Sequence, residues 1–315
     1  MKYISTRGKC EPCSPAQAIK QGLASDGGLF MPEYIPELSD EMIYELCKCN
    51  YETRAAKVLH MFLSDDYTYE ELLEDCTSAY RESSFPGGAA PISEVGDKIR
   101  VLELWHGPTA AFKDMALQIM PRLFARALKK TNDKRQALIL VATSGDTGKA
   151  ALEGYRDIDG IRMMVFYPVD GVSRVQKLQM ATQLGSNVFV QSVKGNFDDA
   201  QSGVKRIFSS EEMKKKLEEK NTFLSSANSI NWGRLVPQIV YYISAYCDLI
   251  TNGDIKLGED INVCVPTGNF GNILAGYIAK RMGLPIHDLV CASNKNKILT
   301  DFFETGIYDR NREFY

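Results

Sequence analysis

The chain has 315 residues, 44% hydrophobic and 24% charged, which is long enough for two lobes with a cleft between them. A net charge of −3 and a pI near 5.8 set aside nucleic acid and the membrane surface as partners, because both select a basic face. Of the eight cysteines only Cys10 and Cys13 form a CxxC, with no second pair to complete a zinc site, and no apolar leader or membrane-length run occurs; the expectation is unpaired thiols, no metal and a cytoplasmic protein.

In chain order, residues 40–80 recur at three and four, with Ser39, Asp40 and Thr68 as N-cap candidates, so an N-terminal helical segment is predicted over 1–80. After the Gly/Pro-rich linker SSFPGGAAP the texture changes. IRVLEL (99–104), ALILVA (137–142), MMVFYP (163–168), NVFVQS (187–192) and INVCVP (261–266) are predicted strands separated by helical patterns. Strands alternating with helices imply an α/β fold around a parallel, doubly wound sheet. Pro121 should kink or restart the helix that begins near Asp114. The run EEMKKKLEEK (211–220) pairs acids with bases at i, i+4 and reads as a solvated helix face.

Chemistry concentrates at three places. In WHGPTAAFKDMAL, Lys113 follows Ala110, Ala111 and Phe112 instead of other charges, so its amine is expected to enter a closed space; burial disfavours the ammonium and makes the amine a nucleophile. TSGDTG (143–148) lies between a strand and a helix and can take a small anion such as a carboxylate. TGNFGN (267–272) occupies an equivalent junction, where consecutive N–H donors can surround a phosphate. A third loop, GNFDD (195–199), is set aside because its own aspartates occupy the helix end. Neither glycine loop is GxGxxG or GxxxxGK[ST], so neither a nicotinamide nor a nucleoside triphosphate is supported. A reactive amine, a phosphate cradle and a carboxylate pocket are together what a pyridoxal-phosphate enzyme requires.

STRG near the start, GLASDGGLFMPE (22–33), HGPTAAFKD (106–114), TSGDTG, SANSINWGR (226–234) and PTGNFGN (266–272) together resemble the threonine synthase family, in order and along nearly the whole chain. The resemblance implies a two-lobed type II pyridoxal-phosphate fold, like that of the tryptophan synthase β-subunit. Its expected division is an N-terminal helical segment (1–80), a cofactor lobe (81–112 plus 255–315) and a smaller α/β lobe (113–254). It implies further that Lys113 carries pyridoxal 5'-phosphate as an aldimine and acts as the catalytic acid–base group. The loop Gly268, Asn269, Phe270, Gly271 and Asn272 would hold the cofactor phosphate, with Asp146 near the ring hydroxyl. Thr143, Ser144 and Thr147 would receive the substrate carboxylate, and Ser229, Asn231 and Arg234 the substrate phosphate. The reaction implied converts O-phospho-L-homoserine and water to L-threonine and phosphate. Another type II lyase such as a serine or threonine dehydratase, or a non-catalytic fragment that keeps the binding pocket, are the alternatives, and SANSINWGR speaks against the first because a dehydratase grips no substrate phosphate. Family members normally continue past the position of Tyr315. The expectation is therefore a shortened cofactor lobe, lacking the hydroxyl that faces the pyridine nitrogen and exposing apolar surface through which copies could self-associate. His106 is expected to hold its loop by hydrogen bonds.

Overall fold

The computed structural model describes residues 1–309 apart from Ser144, Asp170, Gly171 and the side chain of Asp198. Strands β1 (Tyr3–Ser5) and β2 (Phe30–Pro32) pair antiparallel around helix α1 (Pro15–Gln21), which starts on a Ser14/Gln17 capping box with Pro15 in its first turn. Helices α2 (Asp40–Cys47), α3 (Tyr51–Leu63) and α4 (Tyr69–Ala79) follow, N-capped by Ser39, Asn50 and Thr68. The helical reading of 40–80 therefore holds.

Strands β3 (Ile92–Val95) and β4 (Ile99–Leu102) form a hairpin, with Glu94 opposite Arg100. This corrects the expectation that 99–104 joins the parallel series. Only three residues separate β4 from β3, and Gly96 turns there with φ 69°; so short a link permits antiparallel pairing, whereas parallel neighbours need a crossover. Helix α5 (Asp114–Leu117) ends after one turn and α6 (Met120–Lys130) begins with Pro121 in its first turn, the predicted restart.

The central layer alternates β5 (Gln136–Ala142), α7 (Asp146–Tyr155), β6 (Ile161–Pro168), α8 (Arg174–Ala181) and β7 (Val188–Val193). Helices α9 (Phe197–Ser209) and α10 (Glu211–Glu218) then lead to β8 (Thr222–Ser225). All three strand pairings are parallel, in the order β7-β6-β5-β8. Short β8 went unread in the sequence because TFLS is too brief to show a period. On α10, Lys214 pairs with Glu211 and Lys216 with Glu212 at the surface, as expected.

Helix α11 (Trp232–Thr251) is apolar on nearly every side and runs through the interior, packing on α1, α2, α3, α5, α6 and α12. Arg54 of α3 reaches it under full cover: its Nη1 donates to Ser244 Oγ (2.9 Å) and Asp248 Oδ1 (2.5 Å), while Nε donates to Leu46 O on α2 (2.9 Å). Beyond it, β9 (Ile261–Pro266), α12 (Gly271–Arg281) and β10 (Ile286–Ala292) form a parallel βαβ unit, followed by α13 (Ile298–Thr305). Strand β10 was missed because His287 and Asp288 interrupt its apolar run. Among the described residues, no helix is long and apolar enough to cross a membrane, and no cluster of His, Cys, Asp and Glu could hold a metal ion.

Two of the segments that carried the resemblance, STRG and GLASDGG, meet in one turn-stabilising knot. Asp26 accepts from Ser5 Oγ (2.7 Å), Gly28 N (2.8 Å) and Lys9 N (2.9 Å), and a Cβ on Gly28 would stand 2.1 Å from that Ser5 oxygen. These donors, the Ser5 hydroxyl foremost, hold the Asp26 carboxyl down at about 2. A depressed acid stabilises the fold above its unfolded pKa and loses that contribution as pH falls through the folded value. Asp26→Asn should therefore unfold at lower urea than the parent at neutral pH, with the gap narrowing from about pH 4 down to about 2. A gap that stays constant across that window would contradict the assignment.

Candidate active site

The segment that presents Lys113 is built by its neighbour. Asp114 is fully buried and accepts from Thr109 N (2.8 Å) and Thr109 Oγ1 (2.7 Å), drawing the Gly107–Thr109 turn over the start of α5. Gly107 has to be glycine, because a Cβ there would lie 2.5 Å from that of Asp114. His106 sits at the outer edge of the turn, Nε2 against Glu103 Oε2 (2.7 Å) and Nδ1 against Pro86 O (3.2 Å), so it holds its loop.

Lys113 itself immediately precedes α5, with its side chain 19% exposed and its Nζ 5.0 Å above the Phe112 ring. Its counter-ion is Asp146 at the start of α7, Nζ to Oδ2 3.6 Å. Burial pushes the amine's pKa below the ordinary lysine value; Asp146 partly restores it and the Arg234 cation lowers it further. Packing of α5 on α7 sets this distance, and it is close packing: a Cβ on Gly154 would stand 1.9 Å from Leu117 O. Asp146 has a second partner that the sequence did not reveal. Gln176 of α8 donates Nε2 to Asp146 Oδ1 at 2.5 Å, and its carboxamide lies over Gly145.

The two helix ends that were read as open to anions carry no side-chain cap. The cap residues themselves, Gly145 of α7 and Phe270 of α12, supply none, and on α7 only Gly148 N is taken by a side chain among the described residues, that of Thr143; α9, which was set aside, is closed by a reciprocal Asn196/Asp199 capping box. Within TSGDTG, Thr147 is half-buried in the first turn of α7. The side chain of Thr143 has a different job from the carboxylate contact expected of it. It is buried, and its Oγ1 accepts from Gly145 N (3.0 Å) and Gly148 N (3.1 Å) while donating to Gly145 O (3.2 Å), which shapes the loop from beneath. Ser144 lies outside the described residues.

In the 267–272 loop a Cβ on Gly268 would meet nothing within 4 Å, so its backbone borders open space. Gly268, Asn269 and Phe270 are exposed and Gly271 opens α12. Asn272 is held from behind by two phenols of α11: Tyr242 donates to its Oδ1 at 2.8 Å, and Tyr241 makes a shorter contact to the same oxygen. This leaves the Asn272 amide nitrogen directed away from them. Nothing in the spacing of Tyr241 and Tyr242 pointed to this support.

SANSINWGR folds into the turn before α11 and its first helical residues. Ser229 faces the phosphate-shaped loop, 3.5 Å from where a Gly271 Cβ would be. Asn231 does not reach that space: it is fully buried, caps α11 through Gly233 N (2.8 Å) and donates to Ile19 O (2.9 Å) and Ser226 O (3.0 Å). All of its hydrogen-bonding positions but one lone pair are used in the fold, so the expected phosphate contact is replaced by a structural one. Arg234 is 2% exposed; Nη1 donates to Ala227 O (2.7 Å), Nε has no partner, and no carboxylate pairs with it among the described residues. Burial, offset in part by Tyr155 and Tyr241, pushes it down to about 10, which expresses the cost of a buried cation without a counter-ion.

Of two apolar grooves, one of about 380 Å³ lies apart among α2, α3 and α4, and one of about 610 Å³ among α12, β10 and α13 borders the 267–272 loop through Phe270. Neither contains the amine or a buried charge. The glycine loop depends on Thr143, and Thr143→Val keeps its shape but strands the Gly145 N–H, while Gly148 N keeps only its bond to Gly145 O. A loss of about 1–3 kcal/mol in urea unfolding is expected, and an unchanged midpoint would remove the loop-shaping role.

A family model for the threonine synthase N terminus matches residues 2–80, and one for pyridoxal-phosphate dependent enzymes matches residues 89–313. Threonine synthase-like 1 of Homo sapiens is 44% identical over 302 residues, 93% of this chain and 40% of that protein. Threonine synthase of Pseudomonas aeruginosa is 39% identical over 99% of this chain and 64% of its own length. The structure of pyridoxal-phosphate-bound threonine synthase from Brucella melitensis superposes with a TM-score of 0.89 at 39% identity, covering all of this chain and 65% of that one. The Escherichia coli enzyme gives 0.83 at 36%, covering 98% and 68%. The chain thus spans between two fifths and two thirds of the curated relatives it matches. Architecture and residues agree on the two-lobed α/β type II pyridoxal-phosphate fold with an N-terminal helical segment. The chain belongs to the pyridoxal-phosphate dependent enzyme family, in its threonine synthase branch.

Proposed function

We propose that this chain binds pyridoxal 5'-phosphate on Lys113 and converts O-phospho-L-homoserine and water to L-threonine and phosphate. The observation that carries the reading is a desolvated amine beside one carboxylate, accompanied by two helix ends whose cap residues supply no side-chain bond and a buried arginine with no counter-ion among the described residues. The residues fit the cofactor. Lys113 would hold its aldehyde, and the open backbone at Gly268 with the uncapped start of α12 would hold its phosphate. Asn269, Phe270, Gly271 and Asn272 would complete that cradle, and Asp146 is the carboxylate that faces the amine. Bound there, the cofactor supplies an electron-withdrawing ring that stabilises negative charge on the substrate α-carbon.

The remaining steps fall to side chains of the chain. Substrate carboxylate meets the N–H groups that open α7, next to Thr147. Its phosphate meets Arg234, whose free Nε and fork geometry suit a two-point contact, and Ser229. With its nitrogen free, Lys113 Nζ would take the α-proton, since burial lowers its pKa from the ordinary lysine value and so favours the neutral amine. The same nitrogen can return protons to the carbon chain as phosphate leaves and water enters. Residues 81–112 with 255–315 would form the cofactor lobe and 113–254 the smaller lobe. Arg234 favours this substrate over the hydroxyamino acid of a dehydratase, for which a buried cation has no use.

Borohydride treatment in the presence of the cofactor should fix a pyridoxyl group on the peptide that contains Lys113, and Lys113→Ala should lose both the label and phosphate release. A label that persists in the variant would move the site elsewhere. Arg234→Ala should retain cofactor absorbance yet bind O-phospho-L-homoserine about 10- to 100-fold more weakly. Equal affinity in variant and parent would remove Arg234 from the substrate site.

A further inference from the structure

The Lys113–Asp146 pair has an outer partner to which none of the family motifs points. Gln176 projects from α8, whose start is capped by Ser173, across the TSGDTG loop. Its Nε2 donates to Asp146 Oδ1 at 2.5 Å, on the opposite carboxylate oxygen from the one that faces Lys113 Nζ at 3.6 Å. The missing side chain of Gly145 makes room for it there, because Cδ, Oε1 and Nε2 would each stand 2.6 Å from a Cβ on Gly145. The Asp146 side chain is 46% exposed, so its orientation is not imposed by burial and has to come from its partners.

We propose that Gln176 is a positioning residue: by engaging one oxygen of Asp146 it turns the other onto Lys113 and so sets how readily that amine gives up its proton. The inference rests on Lys113 being the reactive amine of the proposed function. Two charged groups face Lys113, Asp146 from α7 and Arg234 from α11. Arg234 is held independently by Ala227 O, so Asp146 is the adjustable one. Freed from Gln176, a half-exposed carboxylate gains more from water than from an amine at this distance and turns outward. Lys113 then loses the group that favours its ammonium form and becomes more nucleophilic at a given neutral pH. In the working enzyme that shift changes how the proton is shared between amine and substrate carbon, which the pH profile of turnover would register.

The test reads the amine itself and needs no cofactor. The full chain, freed of cofactor, is labelled with trace acetic anhydride across the pH range, and the acetylation of each lysine is followed by mass spectrometry. Gln176→Met keeps the length and packing of the side chain without its donor; Lys113 acetylation at neutral pH should rise about two- to fivefold, the scale of a partly exposed ion pair. Lys149 on α7 and exposed Lys216 should label as in the parent, which a general loosening of the fold would not allow. Gln176→Asn, one carbon too short to reach, should behave like Gln176→Met. In an Asp146→Asn background Gln176→Met should add nothing further, since the coupling runs through that carboxylate. Unchanged or reduced Lys113 labelling in Gln176→Met, or an equal rise in the Asp146→Asn background, would overturn the proposal. Failure of Lys113 to take up the cofactor would instead sink the proposed function, and it would be seen in the borohydride experiment alone.

Discussion

An amine removed from most of its water must shed its proton or find a carboxylate, and this chain holds Lys113 between those outcomes. Its side chain is four-fifths covered, yet Asp146 stands 3.6 Å away and Arg234 adds a second, repelling charge. The balance requires three helices to be fixed relative to one another. Helix α5 begins just after the lysine, α7 carries the aspartate and α11 the arginine, and the near contact of Gly154 with Leu117 O leaves no slack between the first two. The buried Asp114 then fixes the turn from which the lysine emerges.

Anion binding in this architecture is a matter of which helix ends the chain leaves unsatisfied. Most of its helices close their first turn with a side chain: Ser14, Ser39, Asn50, Thr68, Ser173, Asn196, Ser210 and Asn231 all do so. The cap residues of α7 and α12 at the site, Gly145 and Phe270, do not, and both helices follow glycine-rich turns at the carboxyl ends of parallel strands, where ligands of open α/β sheets collect. The contrast with α9 is instructive. Its GNF repeats that of the phosphate-shaped loop, and one aspartate three residues past the cap closes the end.

Conserving a motif's letters and placing its side chains at a ligand are different things. Thr143 and Asn231 stand in segments that resemble substrate-binding motifs, but their polar atoms are spent on the backbone around them. Ser229 and Arg234, from the same segment as Asn231, keep atoms available. The work of such a segment is divided between residues that hold the turn and residues that the turn presents. Asp26 and Ser5 at the N-terminus belong wholly to the first kind.

Local patterning was enough to determine much of this molecule. The helices of 40–80, the restart at Pro121, the five anticipated strands, four of them in parallel pairings, and the contrast between α9 and the open helix ends all follow from periodicity and from side chains within three or four residues of one another. The odd lysine among small and apolar residues was legible for the same reason. What the tertiary structure decided depends on partners far apart in the chain. IRVLEL became a hairpin because a three-residue link cannot make a crossover, and β8 and β10 became strands only through their neighbours. Gln176 meets Asp146 across 30 residues, and Tyr241 and Tyr242 meet Asn272 across about as many. Those contacts leave no trace in local spacing, since a glutamine or tyrosine on a helix has the same sequence signature whether it faces solvent or steadies a charged group.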